Sequence, residues 1–379
     1  MNCIHFGTCG GCQIALTYSQ QLRRKYQMVE VSLHALYPDH TLLPILGCDT
    51  TVFYRNKMDF SFGQKDNSVY LGLKEKGQFD RVVPLETCQT QSPKTIFILQ
   101  DTAQFFSDRH YHAWDQKNHT GMLRYLVMRH SKTTNHFLLT LVVAKDSPDY
   151  LDYAAFICNR HPEISGVCVG IHDGRSDRSF VPDATCIFGK DSIEEHILGN
   201  RYTITGPSFF QTNTYQAAVL YRVINDWCEA SSHDTVLDLY CGTGTIGLSL
   251  AKKVGNIIGV DDNPANIKLA SYNQEQNTIL NASFVLENVK NFLKFSPIKA
   301  NWAIVDPPRD GLIPKALRRI AERKIQHVIY VSCNLKTLFR DIKLLSEYGY
   351  ILQKIQPIDM FPHTDHIETV VKLTFKGPK

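Results

Sequence analysis

Short apolar segments alternate with helix-like segments throughout the second half of this chain, and this alternation restricts the possible folds more than any other feature. Five segments have the length and character of buried strands: Thr235–Tyr240, Asn256–Asp261, Ala282–Leu286, Trp302–Asp306 and His327–Val331. Two further strands are predicted near Ile351–Ile358 and Ile367–Phe375. Strands that alternate with helices of this length form parallel sheets covered by helices. We therefore predict a doubly wound α/β domain over residues 206–379.

The preceding part of the chain has a different pattern. From Phe53 to about Thr205, short alternating runs such as Met58–Phe62 and Phe137–Leu141 are separated by Gly, Asp and Asn residues. Alternation of this kind between turn residues is typical of antiparallel strands. We predict an α+β, mostly antiparallel domain with one or two helices, and we assign residues 1–205 to this first domain.

A helix is predicted near the N-terminus, after a loop rich in cysteine and glycine. Between Ile14 and Leu36, apolar residues recur at helical spacing, namely Leu22, Tyr26, Val29, Leu33 and Leu36. This spacing predicts an amphipathic helix. We expect Arg23, Arg24 and Lys25 on its exposed face and its end at Pro38, because proline cannot continue a helix.

The composition is that of a globular protein of more than one domain. The chain has 379 residues, of which 43% are hydrophobic and 21% charged. The longest apolar run, Phe137–Ala144, is far shorter than a bilayer span, and no basic-then-apolar signal opens the chain. We expect a cytoplasmic monomer without a membrane segment, in which most of the 11 cysteines stay reduced.

Positive charge is concentrated in one stretch, although the net charge is only +4. Between Arg309 and Lys343 there are nine Lys and Arg residues against three acidic ones. Most such stretches are solvated helix faces. Here the stretch includes Cys333, so a polyanionic substrate beside a reactive thiol is the preferred interpretation.

A glycine-rich turn follows the first strand of the α/β domain. Asp238 precedes Gly242–Gly247, whose glycines allow a tight turn against which a nucleoside can lie. Asp261 ends the next strand, where a carboxylate can accept hydrogen bonds from a ribose. The three glycines also satisfy the pattern of nicotinamide-binding proteins, so the loop alone does not exclude NAD. Asp238 and the segment Asp306-Pro307-Pro308 favour S-adenosylmethionine instead.

The segment Ser332-Cys333-Asn334 joins a predicted strand to a predicted helix. A helix N-terminus favours a thiolate, so we expect Cys333 to have a lowered pKa and to act as a nucleophile. A thiol that adds to carbon-6 of a pyrimidine activates carbon-5 for methylation, and a base must then remove the carbon-5 proton. Glu368, at the start of the last strand, is the candidate base. His363 and His366 are the alternatives.

The five motifs of this chain resemble those of the bacterial RNA uracil-5-methyltransferases, and they occur in the same order over nearly its whole length. The motifs are Phe210–Asn213, Asp238–Gly244, Asp306–Gly311, Ser332–Asn334 and His366–Glu368. The resemblance implies a class I, Rossmann-like methyltransferase domain. It also implies that S-adenosylmethionine contacts Gln211, Tyr240, Asp261 and Asp306, with Asn288 near the adenine.

One position departs from the family pattern, because the family usually has glutamate where this chain has Asp261. The shorter side chain is expected to reach the ribose through a backbone shift or with help from Asp262. The resemblance also supports Glu368 as the base that acts after Cys333.

The N-terminal loop carries a thiol pattern of its own. Cys3, Cys9 and Cys12 are spaced by glycine-containing segments that can wrap a metal centre, and four thiolates suit either zinc or an iron–sulfur cluster. The family resemblance supplies Cys88 as the fourth ligand and favours a [4Fe–4S] cluster. Four thiolates leave no open iron, so we expect a structural role in an RNA-binding domain.

These expectations combine into one functional hypothesis. The chain is predicted to transfer a methyl group from S-adenosylmethionine to carbon-5 of a uridine in RNA, and the cluster-bearing branch of the family points to 23S ribosomal RNA. We expect RNA to be held by the middle domain and the basic stretch. Transfer RNA as substrate, cytosine-5 methylation and a non-catalytic RNA-binding factor are the alternatives.

Overall fold

The computed structural model describes residues 3–34, 37 and 41–377. Its helices and strands, in chain order, are α1 (Tyr18–His34), β1 (Thr41–Leu42), β2 (Lys57–Lys65), β3 (Ser68–Lys74), β4 (Val82–Pro84), α2 (Lys94–Asp108), β5 (Leu123–His130), β6 (Phe137–Val143), α3 (Asp149–Arg160), β7 (Ile164–Ile171), β8 (Thr185–Gly189), β9 (Ser192–Ile197), β10 (Asn200–Thr205), α4 (Thr214–Trp227), β11 (Thr235–Leu239), α5 (Thr245–Leu250), β12 (Asn256–Asp261), α6 (Pro264–Gln276), β13 (Ala282–Leu286), α7 (Val289–Phe295), β14 (Trp302–Val305), α8 (Pro314–Glu322), β15 (His327–Ser332), α9 (Leu335–Glu347), β16 (Tyr350–Ile358) and β17 (Glu368–Phe375).

The chain forms two compact units. The first unit consists of residues 1–16, 50–195 and 203–214, and the second consists of residues 17–49, 196–202 and 215–379. This division differs from the predicted boundary at residue 205, because α1 and the segment after it belong to the second unit. A pattern read along the chain assigns α1 to its sequence neighbours, whereas the packing of Val29 and Leu33 into the core of the second unit decides its membership.

The first unit contains a seven-stranded sheet in the order β4-β3-β2-β5-β6-β7-β8. Its strand pairs are antiparallel except for β6 and β7, which are parallel. Apolar residues from alternate positions of β2, such as Phe60, pack with Phe106 of α2 and Tyr153 of α3 in one buried core. The α+β, mostly antiparallel architecture predicted from the alternating pattern is therefore present.

The second unit contains an eight-stranded sheet in the order β1-β16-β17-β15-β14-β11-β12-β13. The strands from β15 to β13 in this order are parallel, and β17 runs antiparallel between β15 and β16. The carboxyl ends of β11, β12, β14 and β15 meet at one edge, where open α/β sheets bind their ligands. The predicted strands agree closely with those observed, and Asn256–Asp261 and Ala282–Leu286 coincide in both bounds.

Helix α1 is present, but its charged face differs from the prediction. The buried stripe contains Gln21, Lys25, Val29 and Leu33, which are four residues apart along the helix. The expectation that Lys25 is exposed is therefore wrong, because Lys25 lies on the stripe and forms a buried ion pair. The predicted end of the helix at Leu36 and Pro38 lies outside the described residues. Among the described helices, none is long and apolar enough to cross a membrane.

Candidate active site

The turn after β11 has the backbone that its glycines allow. Tyr240, Gly242 and Gly244 have φ values of 63°, 53° and 78°, in the left-handed region. A Cβ atom at Gly244 would lie 2.7 Å from the Phe284 ring, so this position has no room for a side chain. At Gly242 the same atom would meet nothing within 4 Å. The turn therefore keeps an open face at the carboxyl end of β11.

Two buried carboxyl groups lie beside this turn. Burial, followed by the charge of Asp261, raises the pKa of Asp238 to about 7, although the Gly247 N–H bonds its Oδ2 at 2.9 Å. Burial and repulsion from Asp238 raise the pKa of Asp306 to about 7. The Oδ1 atom of Asp238 has no hydrogen-bond partner among the described residues. A cationic ligand would relieve this repulsion, and S-adenosylmethionine, with its sulfonium and ammonium groups, meets that requirement.

Asp261 organises the turn from the end of β12. Its Oδ2 accepts a hydrogen bond from the Gly242 N–H at 3.0 Å, and its Oδ1 accepts from the Asn263 N–H at 2.9 Å and from Asn266 Nδ2 at 3.1 Å. The next residue, Asp262, is exposed, and its carboxylate accepts a hydrogen bond from Asn288 Nδ2 at 3.3 Å. Asp262 and Asn288 thus lie together on the surface next to the end of β12, where the ribose and adenine of the cofactor are expected.

The predicted cofactor residues are divided between the two units. Tyr240, Asp261 and Asp306 lie at the carboxyl edge of the second unit's sheet. Gln211 belongs to the first unit, where Asn56 Nδ2 donates to its backbone carbonyl at 2.8 Å.

Strand register brings Cys333 and Glu368 together although 35 positions separate them in sequence. In the antiparallel pair of β15 and β17, Ser332 lies opposite Thr369. The next residue of one strand, Cys333, therefore faces the preceding residue of the other, Glu368. Asn334 caps α9 by accepting a hydrogen bond from the Lys336 N–H at 3.2 Å, so Cys333 directly precedes a helix N-terminus.

The expectation of a lowered Cys333 pKa is wrong. Burial, followed by the charge of Glu368, raises the pKa of Cys333 to about 11. Arg309 acts in the opposite direction but does not compensate. The helix N-terminus by itself would lower this pKa, but burial and the carboxyl group on the paired strand have the larger effect.

Glu368 is 4% exposed, and its environment favours the protonated form. Burial and repulsion from Asp306 raise the pKa of Glu368 well above its ordinary range. Cys333, Glu368 and Asp306 therefore form one group of mutually repelling acids at the carboxyl edge of the sheet. Such a group tends to hold protons until a cation or a substrate enters.

Arg309 is a site residue to which the sequence analysis gives no role. Its carbonyl accepts hydrogen bonds from Asn334 Nδ2 at 2.9 Å and from Thr337 Oγ1 at 3.1 Å, which ties its loop to the start of α9. The exposed guanidinium lies close enough to Cys333 to lower its pKa. The position of Arg309 next to Asp306-Pro307-Pro308 is the sequence feature that could have indicated its place in the site.

The rest of the basic stretch is partly structural. Arg323 donates to the backbone carbonyls of Leu293 and Ser296, and Arg318 and Arg319 pair with Glu322. Lys315, Lys336 and Lys343 are exposed and form no ion pair within the part of the chain that the structure describes. The part of the basic stretch that is available to an RNA substrate is therefore smaller than its count of charges indicates.

A buried network holds the loop that leads to Glu368. Lys25 Nζ lies 2.6 Å from Asp359 Oδ1 and donates to the Phe361 carbonyl at 2.9 Å, and both charged side chains are fully buried. Tyr18 donates from its hydroxyl to Asp359 Oδ2 at 2.9 Å. Helix α1 thus fixes the loop between β16 and β17 from its N-terminal side.

The two histidines of that loop have structural contacts. The Gln21 Oε1 atom accepts from the His363 N–H at 2.8 Å, so its Nε2 donor faces His363 Nδ1 at 3.1 Å. This arrangement assigns the ring proton of neutral His363 to Nε2. The ring of His366 packs edge-on against Phe361, with the centroids 6.0 Å apart. These contacts make Glu368 the better candidate base.

The four predicted metal ligands lie near one another in the first unit. Burial, followed by the charges of Cys88, Cys9 and Cys3, raises the pKa of Cys12 to about 12. His5 Nε2 accepts a hydrogen bond from the Glu86 N–H at 3.0 Å, which joins the N-terminal loop to the segment that carries Cys88. Among the described residues, however, no group of three or more His, Cys, Asp or Glu side chains is arranged to hold a metal ion.

The fold and the carboxyl-edge site together define a class I, S-adenosylmethionine-dependent methyltransferase. A sequence profile of the tRNA (Uracil-5-)-methyltransferase family matches residues 17–376, and the chain belongs to this family.

Relatives and a solved structure agree with this assignment. An uncharacterized RNA methyltransferase of Clostridium tetani is 35% identical, over 99% of this chain and 84% of the relative. One from Nanoarchaeum equitans is 35% identical, over 97% of this chain and 79% of the relative. The crystal structure of Pyrococcus abyssi tRNA (uracil-54, C5)-methyltransferase in complex with S-adenosyl-L-homocysteine superposes with a TM-score of 0.80 at 29% identity, covering 95% of this chain and 84% of that chain.

The protein is therefore an S-adenosylmethionine-dependent RNA uracil-5-methyltransferase. This confirms the predicted enzyme class, the methyl donor and RNA as the substrate class. It argues against NAD, against cytosine methylation and against a non-catalytic factor.

Proposed function

We propose that Cys333 is the nucleophile and Glu368 the base of this uracil methylation, because strand register places them side by side at the carboxyl edge of the sheet. Cys333 Sγ gives up its proton to solvent and, as the thiolate, forms a bond to carbon-6 of uracil, while the carbon-5–carbon-6 π electrons move toward oxygen-4. Carbon-5 of this enolate is then nucleophilic. When bound, S-adenosylmethionine supplies the methyl group and a positive charge beside the carboxyl groups.

Release of the product requires the second residue. The Glu368 carboxylate removes the proton from carbon-5, the double bond returns, and the Cys333–carbon-6 bond breaks with its electron pair on sulfur. Arg309 and the start of α9 favour the thiolate of Cys333 in both addition and release.

Separate groups of residues are proposed to hold the cationic part and the nucleoside part of S-adenosylmethionine. Asp238 and Asp306 receive the cationic part of S-adenosylmethionine, because both carboxyl groups are buried and repel each other. Asp261 and the exposed pair of Asp262 and Asn288 hold the ribose and adenine. Tyr240 lines the turn, and Gln211 is included from the family resemblance.

The two catalytic roles can be separated on a denaturing gel. Each variant is incubated with substrate RNA and S-adenosylmethionine. Glu368→Gln should accumulate a covalent protein–RNA band, because addition and methylation proceed without proton removal. Cys333→Ala should give neither band nor methylated uridine. Glu347→Gln and Cys186→Ala are the matched controls outside the site and should behave like the wild type.

The outcomes discriminate clearly. Normal turnover by Glu368→Gln would make His363 or His366 the base. Methylation by Cys333→Ala would disprove addition of a thiol to the ring.

For the RNA target we propose 23S ribosomal RNA, and this rests on the four-cysteine resemblance to the cluster-bearing branch of the family. Transfer RNA is the second candidate, because the superposed Pyrococcus abyssi protein is a tRNA (uracil-54, C5)-methyltransferase. Methyl transfer to each RNA, followed by mass-spectrometric mapping of 5-methyluridine, decides between them. Modification of transfer RNA alone would disprove the ribosomal assignment.

We also propose that Cys3, Cys9, Cys12 and Cys88 hold a [4Fe–4S] cluster. The support is that the other three thiols all raise the pKa of Cys12, so the four lie in one neighbourhood. Each thiolate of such a cluster binds a different iron, so the four sulfurs need not surround a single ion. When bound, the cluster would hold the N-terminal loop against the Cys88 segment.

Anaerobic purification tests the cluster. We expect a brown protein with about four irons per chain and a broad visible charge-transfer band. Cys88→Ser should lose iron, whereas Cys186→Ser should retain it. A colourless wild-type protein with one zinc would disprove the cluster and would leave the methyltransferase assignment intact.

A further inference from the structure

A basic pocket lies in the first unit. Its cavity measures about 380 Å³, within the range of about 300–1,000 Å³ that is usual for small-ligand sites. The wall includes Gly10 and Gly11 of the cysteine loop, Arg55, Lys57 and Asp59 of the β2 region, and Tyr125 of β5.

The pocket opens on the sheet face that α2 and α3 do not cover. Lys57, Asp59 and Ser61 alternate along β2 and share this face, because side chains of a strand point alternately to its two sides. The intervening residues Met58 and Phe60 belong to the core beneath α2 and α3. The polar face of β2 is therefore not needed to bury that core.

The charge of the wall is positive. Arg55, Lys57 and Lys74 stand against one carboxylate, Asp59. Asp59 is already engaged, since its oxygens accept from Lys57 Nζ at 2.6 Å and from Ser179 Oγ at 2.5 Å. Lys74 Nζ lies 3.3 Å from Asp177 Oδ2. Arg55 has no ion pair among the described residues.

Two buried polar atoms in the wall lack hydrogen-bond partners among the described residues, namely Arg55 Nε and Thr212 Oγ1. Buried donors without partners are uncommon in proteins, because each costs about 1–3 kcal/mol. The residues that carry these atoms, Arg55 and Thr212, both line the cavity. A ligand with several acceptor oxygens that enters the cavity would offer hydrogen-bond partners to these side chains.

We propose that this pocket binds a phosphodiester of the RNA substrate, with Arg55 as its main contact. A guanidinium matches the geometry of phosphate oxygens. The glycine backbone in the wall of this positively charged pocket lets the RNA backbone approach closely. The proposal rests on RNA as the substrate of the methylation. It adds a contact in the first unit, and the cysteine loop helps to form it through Gly10 and Gly11.

Salt dependence of RNA binding tests the pocket. The probe is a fluorescein-labelled 15-nucleotide polyuridine, because phosphate contacts act without regard to sequence. Each lost contact with single-stranded nucleic acid should reduce the slope of log K against log salt by about 0.7. We expect this reduction, and about three- to tenfold weaker binding at low salt, for Arg55→Gln and for Lys74→Gln.

Arg109→Gln is the matched control. Arg109 is exposed in the same unit and lies over the Phe105 ring, 3.8 Å from its centroid, outside the pocket. It should leave the slope unchanged, and all variants should keep their circular dichroism, iron content and S-adenosylmethionine affinity. An unchanged slope in both Arg55→Gln and Lys74→Gln would overturn the proposal.

Two further measurements distinguish this proposal from binding of a free nucleotide and from the proposed methyl transfer. If Arg55→Gln loses affinity for uridine monophosphate while its polyuridine slope is unchanged, the pocket takes a free nucleotide and the proposal is wrong. Methyl transfer to uridine is measured on the wild type separately. Failure of that reaction with an altered slope would reject the proposed function and leave the pocket, whereas normal transfer with an unaltered slope would reject the pocket alone.

Discussion

Replacing Lys25 by methionine should destabilise the second unit and slow catalysis, although Lys25 lies far from Glu368 in sequence. Its ammonium group is fully buried, 2.6 Å from Asp359 Oδ1 and 2.9 Å from the Phe361 carbonyl. Methionine has a similar length and keeps the apolar packing. It leaves the Asp359 carboxylate buried, and the donors that remain to it among the described residues are the Tyr18 hydroxyl at 2.9 Å and the Phe361 N–H at 3.2 Å.

The size of the effect follows from this loss. Removing one partner of a buried ion pair costs about 3–5 kcal/mol, because the remaining charge is uncompensated. In Lys25→Met/Asp359→Asn no charge remains, and asparagine can still bond Tyr18. We expect the double variant to recover about 2 kcal/mol or more relative to Lys25→Met. The two sites should therefore show strong coupling in a double-mutant cycle.

Urea unfolding followed by tryptophan fluorescence measures the stability change, since Trp227 and Trp302 lie in the second unit. The same variants are assayed for methyl transfer and for S-adenosylmethionine binding. We expect the turnover rate to fall more than the cofactor affinity, because the loop that Lys25 holds leads into Glu368. The double variant should regain part of the turnover.

Lys343→Met is the control, since Lys343 is an exposed lysine of the same unit, and it should change stability by less than about 0.5 kcal/mol. The reasoning is refuted if Lys25→Met unfolds at the wild-type urea concentration. It is equally refuted if the double variant is as unstable as the sum of the single changes.

Three other predictions concern the carboxyl edge of the sheet. Asp261→Ala should weaken S-adenosylmethionine binding, measured by calorimetry, by about 1–3 kcal/mol. The substitution removes a charged hydrogen-bond acceptor and leaves the Gly242 N–H without this partner. An unchanged affinity would assign the ribose to Asp262 and Asn288. Asp306→Asn should stabilise the cofactor-free protein by up to about 4 kcal/mol at pH 8 and not at pH 3. The folded-state pKa of Asp306 is raised to about 7, about three units above its ordinary value, so the wild type loses stability as the pH rises from about 4 to 7. A stability difference that thermal unfolding shows to be independent of pH would contradict this cause. Gly244→Ala should lower the free energy of unfolding by about 1–3 kcal/mol, and Gly242→Ala by about 1 kcal/mol. Both glycines have positive φ, but only a Cβ atom at Gly244 would meet the Phe284 ring, at 2.7 Å. Equal losses in urea unfolding would show that the positive φ alone determines the cost.

The sequence alone predicted the elements whose causes are local. Buried parallel strands such as Asn256–Asp261 are continuous apolar runs between turn residues, and this pattern is visible without knowledge of neighbours. Gly242 and Gly244 predict the turn, because few other residues adopt its positive φ values. Cys333 at the junction of a strand and a helix was predicted from the same local logic.

The tertiary structure decided the properties that depend on residues distant in the chain. Lys25 is charged, and a pattern along the sequence assigns it to solvent, but Asp359 and Tyr18 make its burial possible. Helix α1 joins the second unit because its buried stripe packs there, and not with its nearest neighbours in sequence.

The chemistry of the site shows the same distinction. The type and place of Cys333 could be predicted, but its raised pKa could not, since it results from burial and from Glu368 on a strand paired to its own. The pKa values of Asp238 and Asp306 have a similar origin, because two parallel strands bring their ends together. Local sequence determines which backbone forms and which groups are available, whereas burial and Coulomb interactions act through space and are defined only once the chain has folded.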